Sequence, residues 1–206
     1  MELTKKERRE LKRQERTIKI ERIAKRAKFK LLVILGVAVL IVAAAGYFGY
    51  RSISKVASVE DIGEPVPIEG EKHIPDGTTV NYKTNPPASG DHYGTPANWG
   101  VYDHEIPDEA AVHNLEHGGI WISYKPDIQS AAKQKLEEIA KIKTKVILSP
   151  RSKNDAPIAA VAWGRIYKPA VSADGAFDEE SVKNFINKYI NKGPELVPDS
   201  MPGKDY

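Results

Sequence analysis

The chain contains no cysteine. That excludes a disulfide framework, thiolate metal ligands and a lipid-anchored cysteine. Its only methionines are Met1 and Met201, so a methionine-rich copper(I) site has no support. No Gly-rich phosphate loop is present, which argues against a nucleotide cofactor. Ser89 and Ser123 lie in no nucleophile-elbow pattern, so serine hydrolase chemistry is unsupported. Proline and glycine are missing from residues 1–30, and charge is missing from Leu31 to Tyr50. The carboxylates are too many for a glycosidase pair to be singled out, and no internal repeat is visible.

The length of 206 residues allows one domain plus extras. Charge is unevenly spread. Residues 1–30 hold 13 Lys/Arg against 5 Asp/Glu, whereas the other 176 residues hold 18 against 23. The net charge of +3 therefore hides a basic tail and a mildly acidic body. The tail favours helix and reads as a solvated or membrane-surface segment touching anionic lipid headgroups; nucleic acid is not expected as its partner.

The uncharged run "LLVILGVAVLIVAAAGYFGY" is 20 residues long. At about 1.5 Å per residue, a helix of that length spans a hydrocarbon core of ~30 Å. Lys28, Lys30 and Arg51 flank it, and Tyr47, Phe48 and Tyr50 cluster at its far end, where interfacial aromatics belong. A cleaved signal peptide has a shorter apolar region of about 7–15 residues and a short basic start. A single membrane span is the better reading. The preceding Lys/Arg excess keeps the N-terminus in the cytoplasm and puts residues 51–206 outside the cell membrane.

The organisation predicted is a basic cytoplasmic tail (1–30), a transmembrane helix (31–50), a linker (51–70), an extracytoplasmic domain (71–193) and a C-terminal tail (194–206). Within the domain, "TTVNY" (78–82) alternates and suits a strand. Residues 83–107 form a long loop with Tyr93, Trp99 and Tyr102, and a loop of that length is usually functional or disordered. A short helix follows Pro107, with Asp108 and Glu109 in its first turn and Gly118 at its end. "GIWISY" is a buried strand. Residues 127–143 are amphipathic, with Ala132, Leu136, Ile139 and Ala140 on one face. "KVILSPR" and "PIAAVAWGRIY" are strands. Residues 178–193 form a last helix with Val182, Phe185, Ile186, Tyr189 and Ile190 inward and Gly193 as its stop. This order predicts an α+β fold, a small mixed sheet with helices packed on one face, preceded by one N-terminal transmembrane helix. The strand at 120–124, the helix and the strand at 146–148 suit a parallel crossover.

The five histidines, His73, His92, His104, His113 and His117, all fall between 73 and 117. On a helix, positions 113, 116 and 117 lie at about 0°, 300° and 40°, one shared arc of about 100°. Imidazoles at i and i+4 can bind one metal ion. H-x-x-E-H is also the pattern of inverted zinc peptidases, where the Glu activates water. That class needs a further acidic ligand downstream; Glu137, Glu138, Glu179 and Glu180 are available by type. The plain alternative is two polar residues on a short helix, hydrogen-bonded or solvated.

The stretch "HIPDGTTVNYKTNPPASGDHYGTPANWGVYDHEIPDEAAVHNLEHGGIWISYKP" closely resembles the bacterial family catalogued as domain of unknown function 3105. Motifs of the forms PPxSGxHY, GVYD and VHNLEHGG mark that family and occur here in order. The resemblance covers about residues 70–193, including "AWGR" and "NKGPE". Members typically carry one N-terminal membrane span. The matching positions are His73, Pro86, Pro87, Ser89, Gly90, His92, Tyr93, Gly100, Tyr102, Asp103, His113, Asn114, Glu116, His117 and Gly118. Ala88 and Asp91 stand where Thr and Pro are commoner, a departure that touches only turn geometry. His104 falls outside the motifs. The family assigns no activity, so the resemblance carries over motif positions only.

Candidate metal ligands are thus His92, His113 and His117, with His73 fourth, and three or four nitrogens suit zinc or copper(II). Four would fill a tetrahedral shell, whereas three would leave a water position with Glu116 as general base. Glu116 can instead accept an imidazole N–H. Tyr93, Trp99, Tyr102 and Asn114 are candidates to line a ligand site. Three readings follow. The first is a membrane-anchored extracytoplasmic protein binding a divalent metal. The second is a zinc hydrolase of a cell-envelope substrate. The third is a metal-free envelope interaction module using the aromatic loop.

Overall fold

The computed structural model describes residues 62–206 and, before them, helical positions 30, 36, 37, 40–44, 46 and 47. The chain divides into two compact units, residues 1–59 and 60–206. Most of the basic tail, the 31–50 span and the linker up to residue 61 lie outside the described residues. Among the described residues, no helix is long and apolar enough to cross a membrane.

The second unit is built on a six-stranded mixed sheet. Its strands are β1 (Glu64–Pro65), β4 (Gly100–Val101), β5 (Ile120–Tyr124), β6 (Val146–Pro150), β7 (Ile158–Ala162) and β8 (Arg165–Tyr167). Their spatial order is β1-β8-β7-β5-β6-β4. β4, β6 and β5 run parallel to one another, while β7, β8 and β1 add antiparallel pairs. Two residues from each of β2 (His73–Ile74) and β3 (His92–Tyr93) form a separate parallel pair.

β5, β6 and β7 are buried along their whole length. Such strands read as continuous apolar runs because both faces are covered. Side chains alternate between faces. Ile120, Ile122, Val146, Leu148, Ile158 and Ala160 face one core, with α2 (Ser130–Ala140) and α3 (Glu179–Tyr189). Trp121, Ile147, Ala159 and Val161 face the other, with Ala110, Ala111 and Leu115 of α1 (Asp108–Glu116). The expectation of helices on one face is therefore corrected: α1 and the long loop cover the second face. The cause is the small side chains of α1, whose Ala110, Ala111 and Val112 have no exposed surface and let the helix sit close to its neighbours.

The helix faces read from the periodicity are the ones buried. α2 buries Ala132, Leu136, Ile139 and Ala140, and α3 buries Val182, Phe185, Ile186 and Tyr189. Asp178 caps α3, its carboxylate accepting from the Ser181 N–H. That helix ends at Tyr189, with Asn191 in the left-handed region at φ 60°, so Gly193 is not its stop. "PIAAVAWGRIY" is not one strand but a hairpin, turning at Gly164 with φ 68°. "TTVNY" forms no strand, because its backbone is committed to a side chain: Val80 N–H donates to Glu109 Oε1 at 2.8 Å. β1 lies in the stretch read as linker and pairs with β8. The last residues are also packed: Lys204 bridges to Ala97, and the Tyr206 hydroxyl donates to Thr95 O.

Candidate metal centre

Three local structures bring the histidines together. The β2–β3 register sets His73 directly opposite His92, with ring centroids 4.9 Å apart. α1 carries His113 and Glu116, and His117 caps its C-terminus, its N–H donating to His113 O at 3.2 Å. α1 packs against β3, so His92 and His113 approach to 5.0 Å between ring centroids. His73 stacks on His113 at 4.8 Å, and His113 meets His117 edge-on at 4.3 Å.

The glycines after the helix make this closure. Gly118 has φ 76°, a conformation few other residues adopt at low cost. Its carbonyl accepts from Asn191 N–H, and Glu116 O accepts from Glu195 N–H at 3.0 Å. A Cβ on Gly193 would lie 2.1 Å from Glu116 O. The segment after α3 can therefore lie against the end of α1 only with glycine at 193. It delivers Glu195 to His117, with Oε2 and Nε2 3.4 Å apart.

Two of the rings are fixed from behind by backbone carbonyls. His92 Nδ1 donates to Gly90 O at 2.7 Å, and His113 Nδ1 donates to Tyr93 O at 2.5 Å. In the neutral tautomers their Nε2 atoms carry lone pairs toward a common space, the usual way a protein orients a metal-binding imidazole. The His92 lone pair faces an unsuitable partner, whereas that of His113 can accept from His117 when His117 carries its proton on Nε2. His92 Nε2 lies 3.0 Å from Glu116 Oε2, and His113 Nε2 lies 2.9 Å from His117 Nε2. A lone pair against a carboxylate oxygen requires a proton or a cation between them. His117 has no such backbone tether among the described residues: its buried Nδ1 is without a hydrogen-bond partner.

Burial pushes the His113 imidazole down to about 4, the neighbouring imidazoles adding to the effect, and burial also lowers that of His117. Both are neutral at pH 7 and ready as ligands. Ligand atoms of His73, His92 and His113 lie within 4.8 Å of one another, as do those of His113, Glu116 and His117. Donors bound at 2.0–2.1 Å stand about 3.3 Å apart in a tetrahedron and about 2.9 Å apart in an octahedron. The separations here are 2.9 Å (His113–His117), 3.0 Å (His92–Glu116) and 3.4 Å (His73–Glu116). The donor set fits a metal ion.

The four histidines and Glu116 thus fall into two donor groups that share His113. The residues expected to line a ligand site also hold the loop and the helix in place. The Asn114 amide bonds Ala97 through both its oxygen and its nitrogen, pinning the loop. Tyr93 contributes its carbonyl to His113. Tyr102 donates to Asn98 O at 2.8 Å, and Trp99 packs against Gly119. His104 joins Asp103 and the Tyr206 carbonyl, outside both donor groups. Three residues of the surroundings were not anticipated. Glu195 sits in "NKGPE", which the resemblance marked without a role. Trp163 meets His92 edge-on at 6.2 Å. Lys145, 1% exposed, donates to His117 O and to Val197 O, tying the helix end to the C-terminal segment. A single Lys before a strand gives no sequence signal of that kind. Glu179, one of the downstream acids offered by type, pairs instead with Lys135 and Lys183. A cavity of about 520 Å³ lies elsewhere, lined by residues of β1 and β8 with Thr84 and Asn85, and by none of the histidines.

The model of a family described as "Protein of unknown function (DUF3105)" matches residues 73–200. The chain belongs to that family. No curated protein and no solved structure matches it.

Proposed function

We propose that this family member is a membrane-anchored extracytoplasmic protein that binds one divalent metal ion, zinc or copper(II), through His73, His92, His113 and His117. The observation that carries the reading is the pair of Nε2 atoms on His92 and His113. Each is aimed by a backbone carbonyl behind it, and each meets another acceptor or ring nitrogen within 3.0 Å. A cation among them replaces the unfavourable approach of His92 Nε2 to the Glu116 carboxylate, and the His113–His117 hydrogen bond, by coordination bonds. Glu116, 3.0 Å from His92 Nε2, belongs to this donor group or accepts from it. The hydrolase reading would need Glu116 turned toward a metal-bound water beside a substrate cleft.

Elemental analysis by inductively coupled plasma mass spectrometry tests the reading. The full chain is purified without chelator beside a His113→Ala, His117→Ala double variant. About one metal per chain, lost in the variant, is the expected result. A folded chain that takes up neither zinc nor copper would overturn it. The anchor rests on the apolar run 31–50 and the basic residues before it. Protease added to intact cells should reach residues 60–206 but not the N-terminal tail.

A further inference from the structure

Resting on the metal reading above, we propose that the ion is exchangeable cargo and that His73 is the ligand through which it enters and leaves, replaced in transit by an imidazole-type nitrogen of the carrier or acceptor. The cluster is asymmetric. The side chain of His73 is 51% exposed, against 0% for His92 and 6% for Glu116. His113 and His117 are 3% and 2% exposed. His92 and His113 are each fixed by a hydrogen bond to a backbone carbonyl. His73 is held by a 3.4 Å contact to Glu116 and by stacking on His113.

The backbone beneath follows the same division. His92 and His113 stand on β3 and on α1, inside the second core. β2 and β3 are equally short, but both residues of β3 are buried whereas His73 on β2 is exposed and is followed by a turn closed by Thr78 N–H and Pro75 O at 3.2 Å. Residues 75–79 are exposed. Turning the His73 ring away moves no core side chain and presents the metal to solvent. Withdrawing His92 or His113 would break a buried tether and leave a cation beside unpaired polar atoms. A metal held only for structure keeps all its positions filled by protein ligands. Here one ligand lies over the others like a cover, and a water or an incoming nitrogen can take its place. Ligand replacement from that side needs no unfolding and no change in the charge or oxidation state of the ion.

The test loads the full chain and its variants with zinc and follows transfer of zinc to a chromogenic chelator. Wild type and His73→Ala should both keep about one zinc per chain through desalting. His73→Ala should release it at least tenfold faster, and millimolar imidazole, filling the vacant position, should slow that release toward the wild-type rate. His92→Ala should hold zinc poorly, with no such rescue, because imidazole cannot reach the buried position. Circular dichroism of His73→Ala should match wild type. Release from His73→Ala at the wild-type rate would overturn the proposal. So would its complete loss of zinc on desalting, or an absence of imidazole rescue. Each of these outcomes leaves metal binding by wild type standing. A wild-type chain that binds no zinc or copper at all removes both readings together.

Discussion

The two faces of the central sheet are made by the same strands and do opposite things. On β5, Ile120, Ile122 and Tyr124 enter the core under α2 and α3, while Trp121 and Ser123 point the other way. On β6, Val146 and Leu148 oppose Ile147 and Ser149. The first face is closed with hydrocarbon and aromatic rings. The second carries hydrogen-bonded polar groups: Trp121 Nε1–H to Ser149 Oγ, Ser123 with Asn154, and Arg151 clamping Asp108. Beyond them lie the histidines. Buried polar groups rarely add more stability than apolar ones of the same size, but they fix geometry. One face holds the fold, and the other spends part of that stability on aiming side chains.

Four measurements break or sharpen this division. The largest effect is expected on the apolar face. Phe185→Ala removes a fully buried ring that packs on Tyr167 and Tyr189, and should lower unfolding free energy by about 3–5 kcal/mol. Metal content per folded molecule should stay the same, read by urea titration beside elemental analysis. If metal affinity fell in proportion, the two faces would not be separable.

On the polar face, Asp108→Ala leaves the Arg151 guanidinium buried without its bidentate partner. Because Asp108 is partly solvated, we expect about 2–3 kcal/mol, below the full cost of breaking a buried pair. This variant should also loosen the start of α1. Zinc release should then quicken, and an unchanged release rate would separate the Arg151 clamp from the site.

Acid should act on the polar face next. Burial holds the His113 imidazole at about 4 in the fold, against an ordinary value of 6.5. The unfolded chain therefore takes up this proton first. The stability that neutral His113 contributes is complete above about pH 6.5 and is lost as pH falls toward 4. Urea midpoints of the metal-free chain should fall across that window, and His113→Gln should flatten the slope. The smallest effect is expected from His104→Ala. It lies outside the donor groups, so metal content and urea midpoint should match wild type. A loss of metal there would mean that the cluster extends further than the two donor groups.

Much of the apolar face was legible from periodicity alone. The buried positions of α2 and α3 stand at helical spacing, and that spacing depends on no distant residue. The i, i+4 histidines were legible for the same reason, since one helix fixes their mutual position. The site around them was legible only as a set of residue types. His73 and His92 meet through a pairing of two residues, too short to leave an alternating pattern. Glu195 arrives through glycine-lined packing of the C-terminal segment, and nothing local encodes that approach. The hairpin at Gly164 was hidden because an apolar run interrupted by one Trp-Gly looks continuous. α1 buries nearly every side, so its amphipathic signal is weak and gave no hint that it covers the second face.

The pairing of His73 with Glu116 spans 43 positions, and that of His92 with Glu116 spans 24. Closing loops of those lengths costs configurational entropy that only the finished sheet can offset. A chain still emerging, or a fragment ending before residue 117, holds the imidazoles apart and has no centre to offer. On the proposed reading, an ion would be captured only after folding, in whatever compartment the folded domain then occupies. The free metal available in that compartment, rather than in the place of synthesis, would then decide which ion fills the proposed site.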